Sequence, residues 1–163
     1  MKEARNPVSS LSKALKDNDL HFTSGKVIHP DAETVTIILP LPAKRLSPNC
    51  VVATRGGRFA KASAVKRYRA MAKEAVEAAC VETGPWERAL ATVTFFWPDN
   101  RRRDEDNAVA SLKAAYDGIV DAGLIVDDNS RHLRREMPVF AIDRASPRVE
   151  IVVSNLHSPG NDA

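Results

Sequence analysis

The residues best equipped for chemistry in this 163-residue chain are acids placed beside one another. In "PDNRRRDEDNAVASLKAAYDGIVDAGLIVDD", residues 98–128, three arginines run into Asp104, Glu105 and Asp106, and Asp127 and Asp128 close the segment. Asp104 and Asp106 are spaced i, i+2, which on extended backbone lets both carboxylates converge on one point. Two carboxylates about 4 Å apart repel by on the order of 4 kcal/mol at an effective dielectric near 20. A cluster of this kind is expected to take up protons or a cation. With oxygen donors alone, the cation to expect is Mg²⁺, with Mn²⁺ as a substitute, rather than zinc.

Each residue also has an ordinary reading. Acids at a helix start offset the helix dipole, and Asp106 alone would serve as an N-cap. Lys113 follows Asp106 by two helical turns, so residues 106, 110, 113 and 117 share a face. It either pairs with Asp117 or stands beside a metal site as a cation for a phosphate oxygen. Arg101, Arg102 and Arg103 are a solvated turn or, next to such a site, phosphate clamps. Distance is the difficulty. A straight helix over Asn107–Ala122 puts Asp127 and Asp128 about 20 Å or more from Asp106. Either a chain reversal after Gly123 or a symmetric dimer would remove that gap.

The elements that must position these residues follow from periodicity and punctuation. "TVTIIL" (34–39) is a β-branched strand ended by the prolines of "LPLP". "AKRLSPNCVVATRGGRFAKAS" reads as a basic loop with turns at Ser47-Pro48-Asn49 and Gly56-Gly57. Ser63 caps a predicted helix over about 64–82 with Val65, Tyr68, Ala72, Val76 and Ala79 at helical spacing, ended by Gly84-Pro85. Lys66, Arg69 and Lys73 lie on another face of it. "RALATVTFFW" (88–97) is a central strand with Val93, Phe95 and Trp97 on one face. The motif helix carries Val109, Leu112, Tyr116, Ile119 and Val120 as its buried stripe, and "VFAID" and "RVEIVV" form a terminal hairpin. The order strand, helix, strand, helix, strand, strand predicts an α+β fold, a small mixed sheet with two main helices. Residues 1–33 are expected to be a polar, loosely held extension, 34–154 the single domain and 155–163 a tail.

Charge is more telling in its distribution than in its sum. The formal net charge is only +3, but residues 44–73 hold nine Lys and Arg and no Asp or Glu. That block is a candidate footprint for a polyphosphate. Cys50 and Cys80 have no metal or disulfide spacing, and His21, His29, His132 and His157 form no ligand-spaced pair. No apolar run reaches the roughly 20 residues of a membrane helix, and no signal core begins the chain, so a cytosolic protein without membrane contact is expected.

On "WPDNRRRDEDN", "LKAAYDGIVDAGLIVDD" and the closing strands, with a weaker colinear match from "IILPLPAKRLSPN", the chain resembles the RusA family of Holliday-junction resolvases, endonucleases of bacteria and prophages. The resemblance spans about 34–154. It implies Asp104, Asp106 and Asp128 as metal-binding catalytic carboxylates, Lys113 as the catalytic lysine and Asp127 as a less critical neighbour. It further implies a homodimer that hydrolyses branched DNA, four-way junctions above all, with Mg²⁺. Lys66, Arg69, Lys73 and the Arg101–Arg103 triplet would then contact the DNA backbone. The spacing departs from the family at Lys113, which follows Asp106 by seven residues rather than four. Two rival readings are a DNA-binding protein without catalysis and a nucleotide-sugar transferase holding Mn²⁺ at its D-x-D. The small size and the basic block argue against the second.

Overall fold

A computed structural model of the chain describes residues 33–79 and 84–156, and the backbone of 22–23 and 26–27. Cys80, His21, His29, His157 and most of the predicted extension and tail lie outside the described residues. In the first of two compact units, Met1–Ala32, β1 (Phe22–Thr23) pairs antiparallel with β2 (Lys26–Val27).

The second unit is a mixed α+β domain. Its elements are β3 (Thr34–Leu39), a short 3₁₀ turn (Lys44–Leu46), α1 (Arg55–Ala78), β4 (Ala89–Trp97), α2 (Glu105–Ala110), α3 (Lys113–Asp121), β5 (Leu133–Arg135), β6 (Val139–Ile142) and β7 (Arg148–Asn155). The five strands β3 to β7 form one mixed sheet. β7 lies between β3 and β4, antiparallel to both, with Ile37 and Val93 each opposite Ile151. On its other side β4 pairs in parallel with β5 along its first residues and with β6 along its last. The chain therefore crosses from β4 through α2 and α3 to parallel strands on the same sheet.

Alternation decides which sheet face is covered. Val35, Ile37, Leu39, Val93, Phe95, Val149, Ile151 and Val153 point to the helical side and are buried. Tyr68, Ala72 and Val76 of α1 and Tyr116 and Ile119 of α3, with Leu112 just before α3, close over them. The two helices cross tightly: a Cβ on Gly118 would lie 2.2 Å from the Arg69 carbonyl oxygen. Phe95 stacks on Trp97 at 5.5 Å and on Phe140 at 5.2 Å, so aromatic contacts tie β6 to β4.

Four expectations are corrected. α1 starts at Arg55 rather than near 64, because Thr54, not Ser63, caps it: the Thr54 hydroxyl accepts from Gly57 N at 3.1 Å. Gly56 and Gly57 thus open a helix instead of forming a turn, and Val52 packs where a side chain on Gly57 would sit. α1 also stops at Ala78, before Gly84-Pro85. The predicted single helix from Asn107 starts two residues earlier and is broken at Ser111–Leu112. There Ser111 Oγ donates back to Asn107 O at 2.7 Å, and Leu112 N reaches Val109 O in a tighter turn. Finally, β6 and β7 make no hairpin. Both pair with β4, on opposite sides of it. Among the described residues no helix is long and apolar enough to cross a membrane.

Candidate active site

β4 ends at Trp97, and the loop 98–104 carries the chain to α2. Arg103 holds this loop. It donates to Asp99 O at 2.9 Å, Arg101 O at 3.0 Å and the Asp99 carboxylate at 2.5 Å, and its guanidinium stacks 4.5 Å from the Trp97 ring. The Arg101 amide and the Arg103 guanidinium together hold the Asp99 carboxyl below the usual carboxylate range.

Asp104, rather than Asp106, is the N-cap. Its backbone is extended, Oδ1 accepts from Asn107 N at 3.0 Å, and Oδ2 accepts from Asn107 Nδ2 at 2.6 Å. Glu105 and Asp106 fill the first turn, where negative charge faces the positive end of the helix. The Asp106 side chain is exposed and has no hydrogen bond or ion pair among the described residues. The Asn107 amide oxygen accepts from Asn49 Nδ2 at 2.8 Å. Lys61 of α1 donates to Ser47 O at 3.3 Å and Cys50 O at 3.2 Å. The basic loop is fastened in this way both to α1 and to the start of α2.

A second cluster forms at the start of α3. Gly123, at φ 76°, reverses the chain, and Leu124 and Val126 bond to the Trp86 backbone at 2.8 and 3.2 Å. That return brings Asp128 to Lys113. Lys113 Nζ lies 2.6 Å from Asp117 Oδ1 and 2.8 Å from Asp128 Oδ2. The Asp117 carboxylate first, and Asp128 second, raise the Lys113 pKa, so the amine stays charged. Arg135 Nη2 donates to Asp128 O at 2.6 Å and Oδ2 at 3.1 Å, while its guanidinium stacks 4.5 Å from the buried Tyr116 ring. Asp127 turns instead into its own loop, accepting from Asn129 Nδ2 and Asp128 N, each at 2.6 Å. The Asn129 amide is the main reason its pKa is lowered.

The structure joins Lys113 to Asp128 and Asp104 to Asn107 in two separate clusters. Among the described residues, no three Asp, Glu, His or Cys side chains are gathered to hold a metal ion. In donor chemistry the three aspartates nevertheless suit a hard divalent cation. Asp106 has no partner, and the two hydrogen bonds to the Asp128 carboxylate both fall on Oδ2.

Of the expected DNA contacts, Lys66 and Arg102 are exposed and unpaired among the described residues. Arg101 lies 3.5 Å from Asp99, and Lys73 lies 3.6 Å from Glu77. Arg69 donates from Nε and Nη2 to the two carboxylate oxygens of Asp121, tying α1 to the end of α3. Arg101, Arg102 and Arg103 line an open depression whose apolar side is Trp97 and Phe140.

No family model matches the chain, and no curated protein matches it. Among solved structures it is similar to a thiamine-monophosphate kinase from Stenotrophomonas maltophilia K279a, at 12% identity and a TM-score of 0.30. That match covers 88% of this chain and 38% of the kinase chain.

Asn49, Asn107 and Arg135 are members of these clusters that sequence reading passed over. For Asn107 there was a signal, because an Asn three residues after an acid is placed to return to it across the first helical turn. For Asn49 and Arg135 there was none, since their partners are brought near by the fold.

Proposed function

We propose that the chain is a Mg²⁺-dependent, structure-selective endonuclease that cuts branched DNA as a homodimer in the bacterial cytosol, in the manner of the RusA family. The observation that carries the reading is the meeting of Lys113 with Asp128 at 2.8 Å, the two ends of the segment on which the resemblance is densest.

Asp104, Asp106 and Asp128 would hold the ion. When bound, it supplies positive charge against the scissile phosphate and makes a water more acidic. The remaining work falls to the chain. Lys113, kept protonated by Asp117 and Asp128, donates to a phosphate oxygen and offsets the charge that develops on the leaving oxygen. Arg135 fixes the rotamer of Asp128 through its carbonyl and carboxylate together, and Asn107 does the same for Asp104. Water oxygen bonds to phosphorus as the bond to the 3′ oxygen breaks, giving a 5′-phosphate and a 3′-hydroxyl. Lys66 and Arg102 contact the DNA backbone irrespective of sequence. A two-fold dimer presents two equivalent sites to the two symmetry-related phosphates of a four-way junction.

Asp104→Asn and Asp106→Asn test the reading on synthetic four-way junctions with Mg²⁺. Cleavage should vanish while junction binding persists. The engagement of Asp104 by Asn107, with no three acidic, His or Cys side chains gathered among the described residues, favours a second reading, a junction-binding protein without catalysis. Wild-type protein that binds junctions and cuts none, with either Mg²⁺ or Mn²⁺, would establish that reading instead.

A further inference from the structure

Where β4 begins, β5 runs beside it and the chain leaves β7, a groove of about 380 Å³ opens between Arg88, Ser130, Arg131, His132, Arg134 and Arg135. Three segments distant in sequence build it. Ala89 N donates to His132 O, and Leu156 N to Arg88 O, both at 2.8 Å, so the start of β4 is stitched to the β5 turn and to the end of β7. None of these cations belongs to the basic block 44–73 or to the arginine triplet.

The charges around the groove are not balanced. Arg134 lies 3.3 Å from Glu136, and Arg135 is engaged by Asp128. Arg88 and Arg131 are exposed and have no ion pair among the described residues. His132 places Nδ1 2.7 Å from Glu87 O, which fixes the ring against the backbone. Arg88 and Arg131, which line one groove with no ion pair among the described residues, leave positive charge there, and an anion with several oxygens offsets it. Phosphate suits the guanidinium fork, which binds two of its oxygens at once.

Arg135 decides which phosphate. The same side chain lines the groove and bonds the carbonyl and carboxylate of Asp128. A phosphate chain passing over Asp128 therefore continues into the groove, where a lone small phosphate would have no reason to sit beside that acid. We propose that this groove binds the phosphodiester backbone of a DNA strand, with Arg88 and Arg131 as its principal contacts. The proposal rests on the nuclease reading above and extends it to a surface outside the acidic motif.

The test is binding of a synthetic four-way DNA junction in EDTA, followed by fluorescence anisotropy over a salt series. The double variant Arg88→Gln, Arg131→Gln is compared with Arg88→Lys, Arg131→Lys. In the proposed dimer the double variant removes two phosphate contacts from each protomer, which lowers the slope of log affinity against log salt by about 3 to 4 and weakens binding by well over tenfold near 0.1 M salt. The lysine pair, which keeps the charge, retains most of the slope. A glutamine pair with wild-type slope and affinity overturns the groove and leaves the nuclease reading standing. Equal weakening in both pairs also overturns it, because packing rather than charge would then be at fault. If wild-type protein binds no DNA under these conditions, the groove and the nuclease reading fall together.

Discussion

Lys113 and Asp128 lie 15 residues apart in sequence and 2.8 Å apart in space. The contact depends on two backbone events. Gly123 takes a left-handed conformation that an L side chain disfavours, and the returning chain is held by an isolated bridge between Trp86 and Ile125. A charged amine here meets two carboxylates and, through Asp128, Arg135, so four ionisable groups share one edge of the domain.

Removing the amine separates its chemical role from its structural one. The Lys113 side chain is 63% exposed, so its ion pairs contribute about 1 kcal/mol or less to folding. Lys113→Ala is expected to leave the thermal midpoint nearly unchanged while lowering single-turnover junction cleavage by about tenfold or more, with binding in EDTA preserved. A loss within about threefold, less than 1 kcal/mol in barrier, removes Lys113 from the reaction.

Arg69 and Asp121 join α1 to the end of α3, and their pair makes stability depend on acid. The Arg69 hydrogen bond holds the Asp121 carboxyl below its ordinary value of about 3.9. A group whose pKa is lowered in the folded state contributes stability above its unfolded pKa and loses it as pH falls through the folded one. Asp121→Asn should therefore be less stable than wild type at pH 7. Urea unfolding at a series of pH values should show that gap closing below about pH 4. A gap independent of pH would mean that the ion pair does not stabilise the fold.

Gly118 marks the closest approach of α1 and α3. An added Cβ would meet the Arg69 carbonyl oxygen at 2.2 Å and the Ala72 Cβ at 2.9 Å, and the first of these is backbone that cannot turn aside. Alanine is favoured over glycine in a helix by about 1 kcal/mol, but overpacking costs about 1–3 kcal/mol. Gly118→Ala should lower unfolding free energy by up to about 2 kcal/mol in urea. Gly56→Ala, where nothing lies within 4 Å, should be neutral or slightly stabilising.

The contrast between these glycines shows what the sequence could and could not convey. The β-branched run ended by prolines located β3 to the residue, and of the stripe Val109, Leu112, Tyr116, Ile119 and Val120 the middle three are buried and the outer two half-buried. Gly56-Gly57 misled because a glycine pair signals a turn unless a cap precedes it, and Thr54 is such a cap. Strand pairing was not legible: the patterns of β6 and β7 show that each is a strand but not that β4 lies between them. The site shared this limit. The aspartates were singled out from local spacing and the resemblance, whereas Arg135 meets Asp128 through the placement of β5 beside β4. Arg103 was read as a phosphate clamp, yet Asp99 and Trp97 occupy it within its own loop.

Asn107 offers a test of whether the loop 47–50 and Asp104 act together. Its amide donates to Asp104 at 2.6 Å and accepts from Asn49 at 2.8 Å, so one side chain sets both. Asn107→Ala removes both links but keeps the backbone cap, and each exposed hydrogen bond is worth about 1 kcal/mol or less. Stability should fall only slightly, and cleavage should fall more than binding because Asp104 Oδ2 loses its partner and the carboxylate is held by the backbone cap alone. Asn107→Asp keeps the acceptor for Asn49 and sets a second carboxylate against Asp104. At neutral pH this variant should cut more slowly than Asn107→Ala, and raising the Mg²⁺ concentration should restore it preferentially, since added positive charge offsets the repulsion. Cleavage rates of the two variants across a Mg²⁺ titration provide the measurement. Equal rates at every concentration would show that the charge at Asp104 does not govern the chemistry.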